Sequence, residues 1–127
     1  MEIVLVRHGQ PEWVRDGLNV DNPPLTERGH RQADAMAQFL AEEHFDEILV
    51  SPMIRARQTA APLYRVAGRD EVIAHWLEEI RNPMWGGTPE EKASEAFATE
   101  RSRPSGERWT GLDHLGGEHV GEFVARI

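Results

Sequence analysis

A chain of 127 residues fits one domain, long enough to bury roughly two thirds of its extended-chain surface. A net charge of −8 argues against a nucleic-acid partner, and the absence of cysteine excludes disulfides and thiolate metal sites. No apolar stretch reaches the length of a membrane span or a signal h-region, so the expectation is a cytoplasmic protein without a membrane partner.

The chain opens on Ile3-Val4-Leu5-Val6, a continuous apolar run closed by Arg7-His8-Gly9. Such a run predicts a strand buried on both faces, as in a parallel sheet. Residues just past the carboxyl end of such a strand sit where α/β folds hold ligands. Arg7 offers a permanent charge in a planar fork, and His8 can act as nucleophile, base or acid near neutral pH. Gly9 permits a sharp turn and a close approach. Taken alone, the three residues fit a basic surface turn equally well.

Residues 10–24 read as a loop through Pro11, Gly17, Asn19, Asn22 and Pro23-Pro24, with Trp13 packing it down. Thr26 predicts an N-cap, with Glu27 complementing the dipole and Ala33, Met36, Ala37 and Leu40 forming the apolar face of a helix over 26–43. Gly29 in its first turn points to close packing. His30 and His44 lack partners at metal-ligand spacing and read as solvated.

Ile48-Leu49-Val50 predicts the second buried strand, and Ser51-Pro52 a helix start with Ser as N-cap. That helix should end at Ala67, with Gly68 as its left-handed stop. Arg55, one turn in, adds a guanidinium to the free N–H groups of the helix terminus and makes an anion site. Arg57 and Arg65 read as a solvated face. Glu71-Val72-Ile73-Ala74 predicts a third strand, left by Trp76-Leu77-Glu78-Glu79-Ile80. The adjacent carboxylates fit a solvated turn or a general acid. Strand, helix, strand, helix, strand is the order of a parallel sheet with right-handed crossovers. Strands side by side would bring Arg7, His8, Arg55 and Glu79 to one rim, a local positive pocket in an acidic protein.

Farther on, Asn82-Pro83-Met84-Trp85-Gly86-Gly87 is loop-like. Thr88-Pro89-Glu90-Glu91 reads as a capping box opening a helix that runs to Arg101. Trp109 and Leu112 should anchor the polar stretch 102–117. Val120, Phe123, Val124 and Ile127 stand at helical spacing.

Arg7-His8-Gly9, Leu25-Thr26-Glu27-Arg28-Gly29, the run from Ser51 to Thr59 (Ser-Pro-Met-Ile-Arg-Ala-Arg-Gln-Thr), Leu77-Glu78-Glu79 and Gly116-Gly117-Glu118 together resemble the histidine phosphatase superfamily. This group includes cofactor-dependent phosphoglycerate mutases and many small phosphatases. The resemblance implies a single domain over 1–127 with a phosphoglycerate mutase-like fold, a three-layer α/β/α sandwich on a parallel sheet, incomplete at the C-terminus. It implies His8 as the nucleophile that becomes phosphohistidine, Arg7 and Arg55 as ligands of the phosphoryl oxygens, and Glu79 as the acid for the leaving oxygen. No metal or cofactor is implied. The implied partner is a small phosphorylated substrate or a phosphoprotein, and the oligomeric state stays open, a homodimer included. In relatives residues 82–87 help cover the pocket, which makes Trp85 a candidate for substrate contact as well as for packing.

Two departures from the family pattern stand out. The later Ser-His-Gly stretch with a second catalytic histidine is missing, and neither His114 nor His119 takes its place. Val14 stands where relatives often have asparagine. The amphipathic pattern of 118–127 stops midway, so the expectation is a piece of a longer protein. The expected activity is phosphomonoester hydrolysis through His8; the alternatives are a mutase-type phosphotransferase and a catalytically impaired phosphate-binding protein.

Overall fold

The computed structural model describes residues 1–108 and 112–127 in full and the backbone alone of 109–110. The anchoring role expected of the Trp109 side chain therefore lies outside the described residues. The chain divides into two compact units, Met1–Glu12 with Asn22–Glu78, and Trp13–Asp21 with Glu79–Ile127.

In the first unit, helix α1 spans Glu27–Phe39 and helix α2 spans Ile54–Ala67. The Thr26 hydroxyl accepts a hydrogen bond from Gly29 N at 3.0 Å and caps α1 as its sequence predicts. The helix ends at Phe39, four residues short of the predicted limit, where Ala41 N and Glu43 N close tighter turns onto Gln38 O and Leu40 O. Its small buried face, Ala33 and Ala37, lets α2 approach. Ala37, Leu40 and Leu63 then form the core, with Met36, Phe45 and Ile48 against them. Each leucine buried here contributes about 1.5–3 kcal/mol relative to an exposed one.

Helix α2 starts later than the Ser51-Pro52 signal predicts. Its N-cap is Met53, and the terminus is held from a distance, by Asn22 Oδ1 accepting from Ile54 N at 3.0 Å. Ser51 reaches only Met53 N, at 3.4 Å. The far end matches expectation, with Gly68 left-handed at φ 64°. The Tyr64 hydroxyl donates to Ile48 O at 2.6 Å and accepts from Val72 N at 3.2 Å, tying the helix to both flanking apolar runs. Those runs meet in a parallel bridge: Val50 N donates to Val72 O and Ala74 N to Val50 O. The predicted second and third strands are thus neighbours and parallel, over one bridge rather than a ladder.

The first apolar run departs most from its prediction. Ile3–Val6 joins no ladder among the described residues, and Leu5 is 90% exposed. An apolar run specifies that a segment gains by being covered, but covering requires neighbours on both edges and both faces. The consequence is measurable. Leu5→Lys is expected to change stability by less than about 0.5 kcal/mol, as at an exposed site. A loss of about 2–5 kcal/mol, the range for a buried leucine, would show that the run is covered.

In the second unit, residues 13–21 are a hairpin rather than an irregular loop. Strands β1 (Val14–Arg15) and β2 (Leu18–Asn19) pair antiparallel across Asp16-Gly17, both with positive φ (52° and 75°). Asp-Gly is the sequence signature of this two-residue turn. Trp13 is about half exposed and does not act as a buried anchor. Helix α3 spans Glu90–Ser102, as its acidic start and basic end suggest. The capping box is not formed, because the Thr88 hydroxyl donates back to Trp85 O and Glu90 N is taken by Gly17 O. Helix α4 spans Val120–Arg126, with His119 Nδ1 accepting from Gly121 N. Leu112 is buried, as expected of an anchor.

The result is an α/β chain with four α-helices and one small sheet among the described residues. No described helix is long and apolar enough to cross a membrane.

Candidate active site

In the first unit, α2 places Arg55 and Thr59 one above the other on one face, four residues apart. Both are buried, Arg55 to 3% exposure. Thr59 Oγ1 donates to Arg55 O at 2.7 Å and accepts from Gly9 N at 2.9 Å. This hydroxyl therefore fixes the backbone just after His8 against the helix that carries Arg55. A second grip comes from α1. Thr26 N donates to Gln10 O at 2.9 Å, and Gln32 Oε1 accepts from Gln10 N at 2.8 Å. A third is steric: a Cβ on Gly9 would stand 2.5 Å from Gly29 O, and one on Gly29 would collide with Gln10 O. The two glycines permit the backbones to touch, which is the close packing expected of Gly29.

This framework settles the chemistry of the imidazole. His8 Nδ1 lies 2.8 Å from Gly9 O, an acceptor only, so Nδ1 carries the proton. The lone pair is then on Nε2, where Arg55 Nε donates to it at 3.2 Å. A neutral imidazole with Nε2 unprotonated and a guanidinium beside it can attack an electrophile that brings negative oxygens to the arginine.

Of the four residues expected on one rim, the structure joins His8 and Arg55. Arg7 is exposed, and Glu79 is exposed and belongs to the second unit. There Arg126 Nη2 donates to Glu79 O at 3.1 Å. Arg57 is not a simply solvated residue: its Nε and Nη2 bond both oxygens of Glu71, at 2.9 and 2.7 Å. This fork holds the Glu71 carboxyl below its ordinary value. His30 and His44 are exposed, as read from sequence. Trp85 is buried and meets Phe97 edge to face at 5.5 Å between centroids, so it packs.

Several supporting residues had no local signal. Thr59 reaches Gly9 across 50 positions, Gln58 Oε1 accepts from Leu25 N at 2.7 Å, and Asp21 accepts from the amides of Trp85 and Gly86 at 3.2 and 2.9 Å. Only the family-like run from Ser51 to Thr59 hinted at the first two.

The family model for the histidine phosphatase superfamily (branch 1) matches residues 3–127, and the chain belongs to that family. Phosphoserine phosphatase 1 of Hydrogenobacter thermophilus is 30% identical, matching all of this chain and 61% of its own length. Among solved structures, the alpha-ribazole phosphatase from Shigella flexneri aligns with a TM-score of 0.67 at 27% identity. That alignment covers 95% of this chain and 60% of the other. A mycobacterial glucosyl-3-phosphoglycerate phosphatase in complex with inorganic phosphate gives 0.64 at 27% identity, covering 94% and 55%. The chain thus spans about three fifths of the length of these relatives.

Proposed function

We propose that this chain carries the phosphoryl-transfer site of a metal-independent phosphomonoester hydrolase. The observation that supports this most is the His8 Nε2–Arg55 Nε contact, with Nδ1–H held by Gly9 O. The family match and the phosphatase names of its relatives agree with it. His8 Nε2 attacks phosphorus and the bond to the leaving oxygen breaks. Glu79 gives its proton to that oxygen. Arg55 turns its donors to the phosphoryl oxygens, joined by Arg7, and the N-terminus of α2 adds its dipole. Two forks supply the positioning and charge neutralisation that this reaction chiefly needs. Nδ1–H stays on Gly9 O, where it stabilises the positive ring of phosphohistidine. Water then attacks phosphorus, Glu79 takes its proton, and the P–N bond breaks to restore the imidazole.

The same reading assigns the family's parallel-sheet three-layer α/β/α sandwich to the domain of which 1–127 is part, a small phosphorylated molecule or phosphoprotein as substrate, and a cytoplasmic setting. Hydrolysis of p-nitrophenyl phosphate tests the activity. His8→Ala is expected to abolish it above the solvent rate, and a His8→Ala variant with wild-type turnover would end the phosphohistidine mechanism. Phosphate binding without turnover by the folded wild-type chain would favour the impaired binding protein. Transfer to an added sugar phosphate in preference to water would favour the mutase.

A further inference from the structure

Glu118 and Arg126 form a two-pronged ion pair that is tied to a third segment of the chain. Arg126 Nε and Nη2 bond Glu118 Oε1 and Oε2 at 2.8 and 2.9 Å, and the Glu118 side chain is only 7% exposed. The Phe123 ring lies under the guanidinium, 4.9 Å from centroid to carbon. Both partners then reach one short segment. Arg126 Nη2 donates to Glu79 O at 3.1 Å, Arg81 N donates to Glu118 Oε2 at 3.1 Å, and Glu118 N donates to Arg81 O at 2.8 Å. Gly117 makes the approach possible, since a Cβ there would stand 3.1 Å from Arg81 O and 3.0 Å from Leu112 O.

We propose that the Glu118–Arg126 pair is a positioning device that fixes the backbone of residues 79–81 and thereby aims the Glu79 carboxyl. The inference rests on the reading of Glu79 as the proton donor. A residue's Cα–Cβ direction follows its backbone, and two side-chain bonds with one backbone bond leave that backbone little freedom. A misplacement of about 1 Å at a catalytic group costs on the order of 100-fold in rate. The arginine fork also draws the Glu118 carboxyl down to about 2 from an ordinary 4.5, so its bonds are intact throughout the neutral range. They contribute in full above the ordinary value and are lost as the pH falls towards 2.

The test separates aiming from mere support. An alkyl phosphate needs a proton on its leaving oxygen, whereas 2,4-dinitrophenyl phosphate does not. Glu118→Gln and Arg126→Lys are expected to slow the alkyl substrate by about 10- to 100-fold and to leave the dinitrophenyl substrate nearly unchanged, as Glu79→Gln should. Equal losses on both substrates, or no loss on either, beside a selective Glu79→Gln variant would overturn the device. A Glu79→Gln variant without selectivity would sink the proton-donor reading instead, and a wild-type chain inactive on both substrates would sink the hydrolase reading beneath it. In that case amide exchange at Arg81 decides the clamp: Glu118→Ala should remove its protection, and unchanged protection contradicts it.

Discussion

Arg55→Ala is expected to slow phosphoryl transfer to His8 by about 100- to 1,000-fold, the usual effect of removing one group that meets developing charge. The size follows from its surroundings. Arg55 is 3% exposed, so its charge acts where water screens little, and its Nε already touches the attacking nitrogen at 3.2 Å. Arg55→Lys keeps the charge but loses the fork, and should fall between wild type and alanine. Arg57→Ala is the internal control. Two residues along the same helix, Arg57 faces Glu71 across an exposed pair that water screens, and its loss should leave turnover within about threefold. Steady-state kinetics on an aryl phosphate, with folding checked by circular dichroism, reads all three. Arg55→Ala with wild-type kcat/KM would remove the anion site from α2.

The second large effect is expected from a single methyl group. Gly9→Ala places a Cβ 2.5 Å from Gly29 O and 3.0 Å from Gly29 Cα, both backbone atoms in the first turn of α1. No side chain can swing away, so the segment carrying His8 or the helix must move. Overpacking of this kind costs about 1–3 kcal/mol, and contact with backbone rather than a flexible side chain puts it near the top of that range. The movement also breaks the Gly9–Thr59 bond that sets His8 against Arg55, so activity should fall further than stability. Gly29→Ala meets Gln10 O from the opposite side and should behave alike. Chemical denaturation reads the stability term, and a neutral Gly9→Ala would show that the two backbones do not touch.

The site was legible in part because its chemistry is local. A histidine after an apolar run and an arginine near the start of a helix carry their meaning in a few residues, and the two are found in contact. What holds them was not legible. Gly9 to Thr59 spans 50 positions and Ile54 to Asn22 spans 32, and no periodicity encodes such partners. Local cap signals misled where another partner competed, near or distant. Thr88 turned back to Trp85, and Asn22 rather than Ser51 serves Ile54. The Asp16-Gly17 hairpin was written plainly in a two-residue turn, but surrounding prolines and glycines concealed it as a loop. Ile3–Val6 marks another limit, since apolar character announces a need for cover without naming what covers it.

The phosphohistidine mechanism is tested most directly by intact-mass analysis of the folded chain after mixing with acetyl phosphate or an aryl phosphate, followed by mapping of the modified residue. The expected result is an acid-labile gain of one phosphoryl group on His8, carried by Nε2 because Nδ1 is committed to Gly9 O. A folded chain that gains no label, or carries the label on another residue or on Nδ1, would contradict it.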